Sequence, residues 1–111
     1  MLFFTKAEGT SPLFSLTLRG GHEQQIEDCV MSRAIATRAS SVYFIGCAPG
    51  QPSVPLYERD IVTGKRRVLG TLEQGTNYAF FGLAVSPDGK TILFGRTSGA
   101  GSDLVMIENF Q

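Results

Sequence analysis

An all-β fold built from short antiparallel strands is what this 111-residue sequence predicts, and three features predict it. Runs rich in β-branched and aromatic residues recur along the chain. Turn residues such as TG, GG and PDG separate them about every ten positions, and no sustained helical period of apolar residues appears. Thirteen glycines, five prolines and no tryptophan fit a turn-rich β protein.

Taken in order, the strands read as Leu2–Thr5, Leu13–Leu18, Arg33–Thr37, Val42–Gly46, Leu56–Ile61, Arg67–Leu72, Phe81–Val85, Ile92–Arg96 and Leu104–Glu108, with a weaker run over His22–Glu27. Several of these repeat. LFFTK (2–6), VYFIG (42–46) and ILFGR (92–96) align Leu2 with Val42 and Ile92, and Phe4 with Phe44 and Phe94. A loop and a second run follow each: LFSLTL (13–18), LYERDI (56–61) and LVMIEN (104–109). Gly21 and Gly64 fall where the next hairpin needs a positive φ. AIATRASSVYF (34–44) aligns with AVSPDGKTILF (84–94). A four-stranded repeat of about 40–50 residues is the unit of a β-propeller blade.

The predicted architecture is therefore a partial β-propeller of about two and a half four-stranded antiparallel blades, with remnants at about 1–28, 33–72 and 79–111. Ten strands divide as three, four and three. Inner strands crowd at a propeller axis, which suits Ala34, Ala36, Gly82 and Ala84. Second strands such as VYF and ILF are apolar on both faces because a sheet packs on either side. Rim strands, HEQQIE and RRVLGT, alternate with polar residues. In SPDG, Pro87 presets φ, Asp88 can bond nearby amides and Gly89 closes the turn.

LAVSPDGKTILFGRTSGAGSDLVMIENFQ (83–111) resembles the closing segment of bacterial TolB-like, WD-like β-propeller repeat proteins, in which an SPDG turn precedes an aromatic strand and an SDL-type strand. The likeness is strongest over 79–111 and weaker over 1–72, and TRAS (37–40) stands where the middle repeat would carry SPDG. The resemblance implies a binding scaffold, a natural stop at Gln111 and missing blades before Met1. Relatives carry such propellers behind transcription-regulator or kinase domains, neither of which lies in these residues.

Charge and motifs point to no chemistry. Ten basic and ten acidic residues give zero net charge and no nucleic-acid footprint, and Lys65–Arg67 reads as a solvated strand face. No apolar run nears the about eighteen residues of a membrane span, and MLFFTKAEG lacks the pattern of a signal peptide. His22, the one histidine, reads as a solvated turn residue, and no G-x-S-x-G elbow accompanies it. Ser11, Ser32 and Ser86 read as turn or strand-edge residues. The glycine-rich TSGAGSD (97–103) precedes a strand, where a phosphate cradle needs a helix N-terminus. Asp88 lacks the rest of a calcium loop. Cys29 and Cys47 could pair, yet spacing alone does not bring them together, and the reading favours two free, inert thiols. No metal-ligand spacing is present, so neither cofactor nor metal is expected.

Phe3, Phe4, Tyr43, Phe44 and Phe94 read as blade packing. Asn77 and Tyr78 lie in the connection Glu73–Ala79, at the mouth of a propeller's channel, and are the candidate binding residues. The sequence thus leads to a non-enzymatic, protein- or ligand-binding scaffold, the C-terminal part of a larger bacterial sensor or regulator. The alternative is the gating propeller of a prolyl-oligopeptidase-like serine peptidase. The expected partners are the remaining blades of a parent chain or further copies of this one, because cut blade faces and open edges invite association.

Overall fold

The computed structural model describes residues 2–48, 50–51, 53–73, 82–98 and 101–108. Asn77 and Tyr78 lie outside the described residues. Among those residues there are nine strands and no helix: β1 (Leu2–Thr5), β2 (Thr10–Leu16), β3 (Glu23–Arg38), β4 (Ser41–Gly46), β5 (Ser53–Asp60), β6 (Arg66–Glu73), β7 (Leu83–Val85), β8 (Thr91–Ser98) and β9 (Gly101–Glu108). All pairings are antiparallel. Strands β1 to β6 form one meander in chain order, and β7 to β9 form a second sheet. Neither sheet closes on itself.

One expectation is corrected here. The separate strands His22–Glu27 and Arg33–Thr37 are a single strand of 16 residues, β3. Its first half pairs with β2 and its second half with β4. Between those halves the register slips: Val30 faces Gly46, but Ile35 already faces Phe44, so extra residues are accommodated on β3. Val30 pairs with β2 on one edge and β4 on the other, and Met31 with β2, so the strand continues where composition alone suggested a break.

The six-stranded sheet folds back on itself along β3. Flat, β1 and β5 would stand four strand spacings apart, roughly 19 Å, yet Phe3, Ile26, Arg59 and Ile61 line one cavity. Leu13, Val30, Val42 and Phe44 form a fully buried cluster, with Phe3, Ile35 and Tyr57 against it. On the other face Ala34, Tyr43, Ile45, Val54 and Leu56 pack with Leu83 and Ile92 of the second sheet. The result is three layers, and the middle one, from the second half of β3 to β6, has at its centre a strand, β4, that is buried on both sides. Strand alternation explains this directly, since Val42 and Phe44 point one way and Tyr43 and Ile45 the other.

The aligned positions keep their sense from layer to layer. Phe3 faces the middle layer as Tyr43 faces the second sheet. Crowding holds only in part: Ala34 is buried, whereas Ala84 is exposed and a Cβ on Gly82 would meet nothing. The outermost face of the second sheet carries Ala84 and an exposed Met106.

Cys29 and Cys47 are joined in a disulfide, with Cα atoms 5.6 Å apart, contrary to the expectation of free thiols. The cause is register. Val30 opposite Gly46 sets the flanking cysteines beside each other, and the Cys47 N–H also donates to the Cys29 carbonyl at 3.3 Å. The bridge ties β3 to the end of β4 next to the register slip.

Turn chemistry fits the predicted positions. Gly64 (φ 75°) and Gly89 (φ 74°) adopt the left-handed region. In the middle repeat the β3–β4 turn instead places Ala39 at φ 52°, where a two-residue hairpin prefers glycine. Ala39→Gly is expected to gain about 1 kcal/mol, and Cys29→Ser with Cys47→Ser to lose about 3 kcal/mol. Urea titration of each variant checks both signs.

Candidate functional site

The polar groups of the middle layer gather in two centres, one on each face of β5. On the side of the first layer, Glu27 is only 7% exposed. Its two oxygens accept from Arg59 Nη1 at 2.7 Å and Arg66 Nη1 at 2.8 Å. Arg66 also lies over the Tyr57 ring, 4.5 Å from its centroid, and Tyr57 tilts against Phe44. A buried carboxylate is tolerated when its charge is paired and its lone pairs are filled. Glu27 therefore clasps the first layer to β5 and β6.

On the opposite face, Glu58 Oε2 accepts from Ser41 Oγ at 2.8 Å and from the Tyr43 hydroxyl at 3.2 Å, while Oε1 accepts from Arg67 Nε at 2.7 Å. Burial opposes the charged form of Glu58, but the Ser41 and Arg67 hydrogen bonds and the Arg67 charge outweigh it and hold the carboxyl below its ordinary value. Burial, then the Glu58 charge, raises the Tyr43 phenol, with Arg38 acting the other way. Arg38 Nε in turn donates to the Pro87 carbonyl at 2.8 Å, and its guanidinium lies where a Cβ on Gly89 would fall, 2.7 Å from Cζ. The SPDG turn is thus seated on the end of β3, which explains why glycine is needed there twice over.

Two clefts border these centres. A polar one of about 480 Å³ is lined by Ser41, Glu58, Asp60, Lys65, Arg66 and Arg67. A groove of about 570 Å³, of mixed polar and apolar lining, lies between Leu2–Thr5 of β1 and Ile35–Thr37 of β3. In the first, Ser41 and Arg67 both bond Glu58, and Arg66 is paired with Glu27 outside the cleft. In the second, β1 faces Ile35, Ala36 and Thr37 of β3.

The other residues weighed from sequence fall into plain roles. His22 is exposed just before β3, and its carbonyl accepts from the Thr17 N–H at 3.0 Å. Ser11 is buried in β2, accepting from the Lys6 N–H and donating to the Pro12 carbonyl. The Asp88 carboxyl is lowered by the Ser86 hydroxyl and the Lys90 N–H that bond it, which closes the turn. TSGAGSD joins paired strands, with Ser98 opposite Gly101. Phe4 stacks on Phe14 at 5.6 Å beneath Lys6. Lys65, Arg66 and Arg67 are exposed, as expected of a solvated face, and Arg66 and Arg67 are in addition each paired with a carboxylate. Among the described residues no group of three or more His, Cys, Asp or Glu side chains could hold a metal.

Sequence reading missed Glu27, which it placed on a polar rim. Its signal was the arginine pair Arg59 and Arg66, which had no obvious use on a solvated face.

No protein-family model matches the chain, and no curated protein matches it.

Glu58 and Tyr43 make stability pH-dependent, each in a definite direction. Glu58 has its pKa depressed on folding, so its contribution is complete above the free value of 4.5 and is lost as pH falls through the folded value. Tyr43 has its pKa raised, so its contribution is complete below pH 10 and is lost as pH rises through the folded value. Glu58→Gln is expected to flatten the acid limb of a stability profile, and Tyr43→Phe the alkaline limb. Glu27→Gln is expected to cost about 2 kcal/mol by urea titration, less than a fully buried pair because Arg59 and Arg66 can regain water.

Proposed function

We propose that this chain is part of a β-propeller of a bacterial sensor or regulator, and that it acts as a non-catalytic scaffold for a protein or ligand. The observation that carries the reading is the three-layer stack, in which β4 at the heart of the middle layer is apolar on both faces and aligned repeat positions point the same way. A sandwich needs only one apolar face per sheet; a stack of radial sheets needs two in every sheet that has neighbours. The TolB-like resemblance of residues 83–111 agrees with this.

The polar centres support the non-catalytic part of the reading. Glu27 and Glu58 are neutralised by guanidinium partners, an arrangement that holds layers together. Proton transfer instead needs a group poised to change its charge. Exposed Leu2 and Met106 on the outer layers fit faces that meet further blades or further copies.

Selection of displayed peptides against immobilised 1–111 tests the function. Reversible capture of defined sequences, recovered intact, is expected; cleavage of the captured peptides, or no enrichment, overturns it. Light scattering after gel filtration tests the architecture. Self-association is expected, and a monodisperse monomer contradicts the partial-propeller reading.

A further inference from the structure

The turns before β3, β4, β6 and β8 gather at one end of the molecule. The Ile61 N–H donates to the Ser40 carbonyl at 2.7 Å, which joins the β5–β6 turn to the β3–β4 turn. Arg38 holds the Pro87 carbonyl, which adds the turn before β8. The β2–β3 turn, residues 17–22, reaches the same end because the first half of β3 runs along the middle layer toward it. Val30 stands level with Gly46 and Glu27 with Arg59 and Arg66, while Gln24 shares a cavity with Val62 and Gly64.

Among the described residues, the two most exposed large apolar side chains are both on these turns, Val62 at 83% and Leu18 at 76%. Asp60 Oδ1 accepts from the Val62 and Thr63 N–H groups at 2.8 and 3.0 Å, and the Gly64 N–H returns to the Asp60 carbonyl at 2.9 Å. Val62 is thereby held at the tip. Leu18 precedes Gly20 and Gly21, both at positive φ, in a hairpin closed by the Thr17 N–H on the His22 carbonyl. Polar residues and glycine make such turns, and an apolar tip adds nothing to them.

Charge at this end is uneven. Arg19, Lys65 and Lys90 are exposed on the turns and take part in none of the ion pairs among the described residues. The nearby acids are drawn inward: Asp60 and Asp88 accept from N–H groups of their own turns, and Glu23 is paired with Lys6. A chain of zero net charge thus presents cations around two projecting aliphatic side chains.

We propose that this end of the molecule binds an anionic lipid surface, with Leu18 and Val62 entering the boundary between headgroups and acyl chains and Arg19, Lys65 and Lys90 meeting the lipid charges. Aliphatic insertion and basic residues at an anionic surface together give reversible, salt-sensitive attachment. A bilayer suits the geometry better than a folded protein. Leu18 and Val62 project from separate hairpins and not from one continuous sheet face, and fluid acyl chains can conform to each tip.

The chain has no tryptophan, so Leu18→Trp and Val62→Trp each place a single fluorophore at a tip. Vesicles of equal parts phosphatidylserine and phosphatidylcholine are expected to shift both emissions to the blue. Phosphatidylcholine alone is expected to leave them unchanged. Val68→Trp, at an exposed position within β6, is expected to give no shift with either. Co-sedimentation of the unaltered chain with the anionic vesicles gives the affinity. Arg19→Gln and Lys65→Gln are each expected to weaken it about fivefold, and Leu18→Ser with Val62→Ser at least about tenfold.

No blue shift at the tips overturns the proposal, as does an equal shift at Val68 or with phosphatidylcholine alone. Vesicle binding that survives loss of both aliphatic side chains overturns it as well. Capture on polyglutamate with none on the vesicles also overturns it, and points to an acidic protein at this end.

Discussion

Burial of β4 on both faces is the constraint from which the rest of this structure follows. A strand with one wet face can alternate apolar and polar residues, but β4 runs Val42, Phe44 on one side and Tyr43, Ile45 on the other, all buried. Such a strand is stable only if something apolar lies above and below it. The first layer and the second sheet meet that demand, and both charged clasps sit where these layers meet the middle one or its edge. At about 25 cal/mol per Å² of apolar surface, this two-sided burial outweighs either ion pair, both of which keep partly exposed arginines.

Chain connectivity adds a second constraint. Layers stacked face to face need a crossing from one to the next, and β3 makes it without leaving β structure. It pairs with β2, slips register after Val30, then pairs with β4. The disulfide lies beside that slip, where the ladder alone is weakest. A covalent tie there limits how far the two halves of β3 can move apart. Arg38 does the same for the second sheet, gripping the Pro87 carbonyl from the far end of β3. One strand thus carries a link to each neighbour.

Much of this was legible in the residues. The positions of β1, β4, β5, β6 and β8 follow from runs of β-branched and aromatic residues, and the two-faced character of VYF was plain from composition. The hairpin glycines were found by spacing, and their positive φ follows from the turn geometry. What could not be read is whatever depends on residues distant in sequence meeting in space. The Cys29–Cys47 bridge required the register of β3 on β4. The Glu27 clasp required the fold-back that brings β5 and β6 to the first layer. The break expected between His22–Glu27 and Arg33–Thr37 failed because Asp28, Ser32 and Arg33 look like a loop, while pairing on either edge keeps that backbone extended. Asn77 and Tyr78, the site favoured from sequence, lie outside the described residues.

The most direct measurement of the stack is a methyl NOE spectrum of the intact chain. The account predicts cross-peaks from Val42 to Leu13 and from Ile45 to Ile92, two neighbouring core residues reaching opposite layers. Cross-peaks confined to one of these pairs, with the other side's methyls contacting solvent, would contradict it.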